Sequence, residues 1–275
     1  MIAPRTLVCT AMLLALLGTA RSPAADIAPK AREVLAQAQK SLVTVSAYSK
    51  LDLGGLPIRL SSLAEAQETS CGGLVIDASG LTVVSYSALN PMERLVGAIK
   101  TRLSGDNSSL AAKAELSRVQ MRLEDGTEVP ARLVLKDKEL DLAFLVPDPK
   151  EGEKVPQFSP VKLSADAAVK ELDDVIVVSR HGKDLGYQPI VTVGQVTSRI
   201  SKPRTMYDLS VAPRPGSPAF LPDGQLLGVT VSFTAGDGIA SLSAREALVL
   251  PVSEVAKLAD QARKAAEKKK EAKKE

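Results

Sequence analysis

The architecture of this chain can be inferred from a loop that reads Pro213-Arg214-Pro215-Gly216-Ser217-Pro218-Ala219-Phe220, with a turn and an apolar run, Asp223-Gly224-Gln225-Leu226-Leu227-Gly228, after it. Outward from this loop, between about residues 70 and 250, short β-branched runs are broken by Gly, Asp and Pro. Such spacing is typical of a barrel or a sandwich. One example is the alternating run 119–123, which the hairpin signal Asp125-Gly126 connects to the run 129–135. The sequence therefore predicts an all-β protein.

Composition limits both the core and the class of partner. The chain has 275 residues, of which 45% are hydrophobic, but only 3% are aromatic and there is no Trp. The core must therefore consist of Val, Leu, Ile and Ala. Few aromatic rings also argue against a platform on which bases stack, so we expect no nucleic-acid partner. The formal net charge of +3 is small for this length.

The N-terminus has the pattern of a signal peptide. Arg5 precedes an apolar run over residues 6–17, and small residues follow. We expect residues 1–25 to be removed near Ala20 or Ala25, and the protein to be exported, either periplasmic or secreted. The run is shorter than the roughly 20 residues that span a bilayer, so no stable membrane anchor is expected.

Removal of this segment takes Cys9 away and leaves Cys71 as the one thiol. A disulfide within the chain is then excluded. Cys71 stands in an apolar run after a polar segment, and no catalytic base is evident near it. We therefore interpret it as a small buried hydrophobe.

Three further segments complete the predicted organisation. Residues 26–41 have the apolar spacing of a short N-terminal helix, and residues 42–251 form the β domain. Residues 91–117 lack strand character and are expected to be an inserted loop with helical flanks. Residues 252–275 form a charged helix and tail. A basic arm for an anionic surface is one interpretation of this tail, and a solvated helix end is the favoured one.

Five further segments, in this order, resemble motifs of trypsin-like serine peptidases of the HtrA/Deg type. They are Cys71–Asp77, Gly80–Leu89, Asp125–Leu145, Val191–Ser198 and Ala247–Val252. The loop at residues 213–218 resembles the Gly-Asn-Ser-Gly-Gly-Pro loop of that family. The resemblance covers about residues 42–258 and implies a double six-stranded β-barrel. No PDZ domain is expected, because the stretch after residue 258 is too short for one.

The resemblance also assigns the family's functional positions. Ser87 stands where the catalytic histidine should be, Asp141 matches the triad aspartate, and Pro215 stands at the nucleophile. Pro213 and Pro215 occupy the positions whose backbone N–H groups form the oxyanion hole, and proline has no N–H. The loss of one such donor typically lowers the rate about 100- to 1000-fold. A short acid before an apolar strand can also cap a turn, so Asp141 alone is weak evidence for catalysis.

Two alternatives stay open. Ser217 could be the nucleophile of an active endopeptidase if a substitute base exists, and Ser217→Ala would then abolish hydrolysis. The one histidine of the chain, His181, is expected in a turn of the second barrel, and no lysine stands at an aligned position. The other alternative is an interaction protein that assembles through the helices at residues 30–41 and 252–270.

No cofactor is expected. One histidine and one remaining cysteine cannot form a Cys/His zinc site, and the sequence contains no glycine-rich phosphate loop. We therefore predict an exported, catalytically inactive homologue of HtrA-type peptidases that acts as a polypeptide-binding or structural module. Its expected partner is extended or unfolded polypeptide, which lies against an edge strand in the cleft, and a homo-oligomer is possible.

Overall fold

The computed structural model describes residues 23–52, 67–103, 113–150, 152–234 and 245–271. Within these ranges the strands form two closed antiparallel barrels of six strands each. This confirms the predicted all-β, trypsin-like double barrel with a helix at either end. The first helix, α1 (Pro23–Ala38), is followed by a 3-10 turn, Gln39–Ser41, that leads into the first barrel.

The first barrel spans residues 42–147. Its strands are β1 (Leu42–Asp52), β2 (Gln67–Val75), β3 (Thr82–Ser85), β4 (Lys113–Arg122), β5 (Glu128–Asp137) and β6 (Leu142–Pro147), in the order β1-β2-β3-β6-β5-β4. Two helices, α2 (Tyr86–Leu89) and α3 (Pro91–Leu103), lie between β3 and β4. The predicted Asp125-Gly126 hairpin joins β4 to β5, where Gly126 has a φ of 88° that favours glycine.

The second barrel spans residues 174–251. Its strands are β7 (Asp174–Arg180), β8 (Pro189–Ile200), β9 (Met206–Leu209), β10 (Pro218–Phe220), β11 (Leu226–Thr234) and β12 (Arg245–Pro251), in the order β10-β11-β12-β9-β8-β7. The C-terminal helix α4 (Val252–Glu271) begins directly after β12. Pro213 and Pro215 lie in the loop between β9 and β10, which we call the proline loop, and Pro218 begins β10, so the closed second barrel fixes their position.

The apolar residues of strand β6 contribute to two hydrophobic cores. Its residues 142–146 are all buried. Ala143 and Leu145 point into the first barrel, whereas Leu142, Phe144 and Val146 join a cluster shared by both barrels and both terminal helices. This division follows from the alternation of side chains along a strand. The second barrel has an interior cluster of its own, built mainly of Val and Leu.

Both terminal helices pack their apolar faces against the barrels of their own chain. Their buried side chains recur every three or four residues: Ile27, Ala31, Val34 and Ala38 in α1, and Val252, Val255, Leu258, Ala259 and Ala262 in α4. Arg263 of α4 also forms an ion pair with Asp77, at 3.2 Å. The faces on which helix-mediated assembly would depend are therefore already covered.

The prediction of an inserted loop at residues 91–117 is wrong at its C-terminal end. The helical flank is present as α3, but residues 113–117 belong to β4. Residues 113–116 of β4 pair with residues 49–52 of β1. This pairing compensates for the low strand propensity of Lys, Ala and Glu. Residues 104–112 lie outside the described residues.

Of the predicted signal peptide, residues 1–25, the first 22 residues lie outside the described residues. Helix α1 begins at Pro23. In the part of the chain that the structure describes, no helix is long and apolar enough to cross a membrane.

The contact between β11 and β12 at Gly228 gives a test of the second barrel. A Cβ added there would lie 2.0 Å from the carbonyl oxygen of Leu250, which is backbone and cannot move aside. We expect Gly228→Ala to lower the free energy of unfolding by about 3 kcal/mol in urea titrations. The matched control is Gly97→Ala on the exposed side of α3, where a Cβ meets nothing within 4 Å.

In a helix interior, alanine is more favourable than glycine by about 0.5–1 kcal/mol. The control should therefore raise the free energy of unfolding. Similar effects of the two substitutions would contradict the β11–β12 register.

Candidate functional site

A buried carboxylate connects the two barrels. Asp141, which is 5% exposed, lies in the turn before β6. Its Oδ2 accepts hydrogen bonds from the Ser85 hydroxyl at 2.6 Å and from the Ser232 backbone N–H at 2.8 Å. Its Oδ1 accepts one from the Ser87 backbone N–H at 2.7 Å. Since Ser232 belongs to β11, this one carboxylate holds the second barrel against the first.

The carboxylate of Asp141 does not cap the local turn. Asp137 does so instead, because its Oδ1 accepts from the Leu140 N–H at 2.9 Å. The carboxylate of Asp141 bonds to residues between 54 and 91 positions away in the sequence. The Asp141 backbone has a φ of 53°, a left-handed conformation that aspartate tolerates better than most residues. The carboxylate is therefore directed inward by the backbone.

Ser87, at the position that the resemblance assigns to histidine, does lie next to Asp141. It belongs to the short helix α2, whose N-cap is Ser85: the Ser85 Oγ accepts from the Ala88 N–H at 3.3 Å. The hydroxyl oxygens of Ser85 and Ser87 are 3.4 Å apart. Ser87 thus contacts the carboxylate through its backbone N–H, and no imidazole is held there.

Pro215 and Gly216 are the central residues of a tight turn. The Ser217 N–H donates to the Arg214 carbonyl at 3.1 Å, and Gly216 has a φ of 87°. Proline followed by glycine with positive φ is the sequence that a type II turn prefers. A Cβ on Gly216 would lie 2.6 Å from the Gly72 carbonyl oxygen, so only glycine fits. Neither Pro213 nor Pro215 has an N–H to offer to an oxyanion.

Ser217, the alternative nucleophile, is buried directly after this turn. Its side chain is 3% exposed, and its carbonyl accepts from the Thr230 N–H at 2.8 Å. Among the described residues, no histidine, lysine or carboxylate forms a hydrogen bond with its hydroxyl. An activated serine needs a base within about 2.6–3.2 Å and access to substrate, and Ser217 has neither here.

Two separate cavities flank the turn and the carboxylate. The first, which we call the Asp141 cavity, has a volume of about 220 Å³ and is lined by residues that include Ser87, Asp141 and Ser232. Glu93 of α3 forms part of its wall and forms an ion pair with Lys136 at 3.5 Å and another with Lys138. The insertion helix is thereby fixed at the edge of this cavity.

The second, which we call the Pro215 cavity, has a volume of about 170 Å³. It contains Pro215 and, unexpectedly, both His181 and Cys71. His181 lies in the loop after β7 of the second barrel, and this loop brings it to the same cavity as Pro215. Burial, and to a smaller extent the charge of Asp141, raise the pKa of the Cys71 thiol to about 12. The thiol is therefore protonated and a poor nucleophile near neutral pH.

The three positions that the resemblance assigns to the triad thus lie along two cavities, and among the described residues no histidine or lysine bonds to Asp141. Ser87 and Asp141 line one cavity, whereas Pro215 and His181 line the other. Sequence reasoning missed Ser85 and Ser232 as partners of Asp141. A serine one residue before a short helix is a capping signal for Ser85, but Ser232 stands in an apolar strand with no such signal. In the described ranges, no group of three His, Cys, Asp or Glu side chains could hold a metal ion.

The comparison with protein families agrees with the fold. Residues 73–229, more than half of the chain, match the family model described as a trypsin-like peptidase domain. No curated protein matches the chain. The chain belongs to the trypsin-like peptidase family.

The hydrogen bonds of Asp141 predict the effect of neutralising it. In Asp141→Asn the amide NH₂ replaces one acceptor oxygen, so at least one buried donor loses its partner. We expect the free energy of unfolding to fall by about 1–3 kcal/mol, measured by urea titration.

Asp223→Asn is the matched control, because the exposed Asp223 Oδ1 accepts from the Gln225 N–H at 2.9 Å and an asparagine carbonyl can do the same. This control should change stability by less than about 0.5 kcal/mol. An equally small effect at both positions would show that Asp141 does not hold the barrels together.

Proposed function

We propose that this chain is an exported, catalytically inactive relative of HtrA-type peptidases that binds extended or unfolded polypeptide. The observation that carries the proposal is the turn Arg214–Ser217, where a proline replaces the expected nucleophile and fits the turn well. Proline supplies neither a hydroxyl nor an N–H. The proposal of export rests on the signal-peptide pattern of residues 1–25.

The electrostatic surroundings of Asp141 support the same proposal. In an acyl-transfer triad the aspartate orients an imidazole. Here its oxygens accept from Ser85, Ser87 and Ser232, none of which can act as a base near pH 7. In this arrangement the carboxylate has a structural role. This role accounts for an aspartate at this position without a neighbouring histidine.

An unpaired strand edge supports the binding of polypeptide. Residues 228–234 of β11 pair with β12 on one side. On the other side, β10 pairs only as far as Val229, after which Thr230 bonds to residues 216 and 217 and Ser232 bonds to Asp141. Beyond Ser232, no described strand pairs with this edge. An extended peptide can add to such an edge through main-chain hydrogen bonds.

Backbone N–H groups alternate in direction along a strand, and this alternation identifies the next N–H on this edge of β11. Thr230 and Ser232 direct their backbone groups away from β12, and Thr234 is two residues further on. In an antiparallel strand, alternate residues direct their N–H and C=O groups to the same side. The N–H of Thr234 therefore faces the edge on which a peptide would lie, next to the Asp141 cavity.

The alternative of an active endopeptidase with Ser217 as nucleophile has less support, because the side chain is buried and has no base among its described neighbours. Assembly through the terminal helices also has less support, since those helices pack on their own barrels.

The experiment that tests the proposal measures binding and cleavage together. Alkylated, dephosphorylated casein labelled with fluorescein is titrated with the protein, and anisotropy and electrophoresis are followed. We expect saturable binding with intact casein. Thr234→Pro, which removes the N–H, should weaken binding at least about tenfold, because one main-chain hydrogen bond is lost and the ring obstructs the edge.

Thr234→Ala retains the N–H and should bind like the unchanged chain. Thermal melting of all three proteins checks that the barrels are intact. Cleavage of casein would contradict the proposed inactivity. Absence of binding would contradict the proposed polypeptide-binding role.

A further inference from the structure

The Pro215 cavity is lined by positive and neutral groups only. Arg180 and His181 at the end of β7 and Arg214 of the proline loop contribute its basic groups. Cys71 on β2, in the opposite barrel, is one of the uncharged residues, and no acidic side chain contributes to the lining. Burial and the Asp141 charge raise the pKa of the Cys71 thiol to about 12, so the thiol is neutral as well.

Arg180 is a half-buried cation without an acidic partner among the described residues. Its Nη2 donates to the Gln39 carbonyl at 2.7 Å and its Nη1 to the Tyr187 carbonyl at 3.4 Å, and both acceptors are neutral. Its Nε is buried and has no hydrogen-bond partner. Burial lowers the pKa of Arg180, and attraction to Glu124 offsets this only in part. The guanidinium remains charged, so the wall of the cavity carries an incompletely compensated positive charge.

Arg214 adds a second cation at the same place. Its Nη1 donates to the backbone carbonyl of Arg180 at 3.5 Å, and its side chain is otherwise exposed. The Nδ1 of His181 is buried in the same wall without a partner among the described residues. Both arginine side chains line this one cavity, and like charges that share a site disfavour each other unless an anion is close by. The protein itself provides no such anion in the lining.

We propose that the Pro215 cavity binds a carboxylate group of the polypeptide that occupies the cleft. Guanidinium groups match the planar geometry of a carboxylate and bind it with paired, charge-assisted hydrogen bonds. A volume of about 170 Å³ is sufficient for one such group. The inference rests on the proposed polypeptide-binding function and adds to it a preference for acidic segments or a free C-terminus.

The rate at which the Cys71 thiol is modified by charged reagents can report the charge of the cavity. In a Cys9→Ser background Cys71 is the one thiol of the chain. Because the thiolate is the reacting form, its rate of modification is measured at pH 9 with two methanethiosulfonate reagents of similar size, one with a sulfonate group and one with a trimethylammonium group, at constant ionic strength. Relative to free cysteine, we expect the anionic reagent to be favoured about tenfold, because a positive cavity concentrates anions.

The variant Arg214→Gln should remove most of this preference, and Arg214→Lys should retain it. Arg214 is preferred to Arg180 as the tested position, because Arg180 also holds the carbonyl of Gln39 and its loss could weaken the fold. Arg199→Gln, an exposed position at the far end of β8, is the control and should leave the preference unchanged. A reagent preference equal to that of free cysteine would overturn the proposal.

The source of the carboxylate is tested by protection of Cys71. Acetate and alkylated, dephosphorylated casein should both slow the modification in a saturable way. Casein whose carboxyl groups have been converted to amides should protect at least about tenfold less well. If amidated casein binds and protects as well as casein, the carboxylate preference is wrong while polypeptide binding stands. If acetate protects and casein does not bind, the cavity takes a free anion, and the proposed function fails.

Discussion

One buried carboxylate joins the two barrels through hydrogen bonds, in addition to the apolar cluster that the barrels share. Asp141 receives three hydrogen bonds, two from the first barrel and one from β11 of the second. A buried charge is costly unless its hydrogen-bonding capacity is used, and removal of any donor would leave it uncompensated. This constraint explains why α2, β6 and β11 meet at one point and why the cleft between the barrels has a fixed shape.

The proline loop of the second barrel forms a well-defined turn. Pro215 and Gly216 suit a type II turn, and Gly216 packs against the backbone of Gly72. The same turn lines the basic Pro215 cavity. The local sequence thus favours a stable turn at the position that the resemblance assigns to the nucleophile. In the proposed function, the open edge of β11 and the two cavities serve to hold a peptide.

The fold could be predicted from the sequence because the strand and turn patterns that indicate it are local and repeated. Short β-branched runs, the Asp125-Gly126 hairpin and motifs in the family order predicted both barrels. The start of β4 could not be predicted from the sequence, because pairing with β1 overrides the weak strand propensity of residues 113–115.

The partners of Asp141 and the position of His181 depend on contacts between distant segments. Ser232 is 91 residues from Asp141 and has no distinguishing sequence context. His181 reaches the Pro215 cavity only because β7 ends beside the proline loop. Such long-range contacts are a property of the closed barrels, and no single segment contains the information that would predict them.

The most direct test of the central claim, a peptidase fold retained without its chemistry, is labelling with a fluorophosphonate, which reacts with activated serines. The full chain is incubated with the reagent, and any adduct is mapped by mass spectrometry. The proposed function predicts no stoichiometric adduct on any serine, including Ser87 and Ser217. A stoichiometric adduct on Ser217 would contradict it and would show that an active site has formed around a base other than the family's histidine.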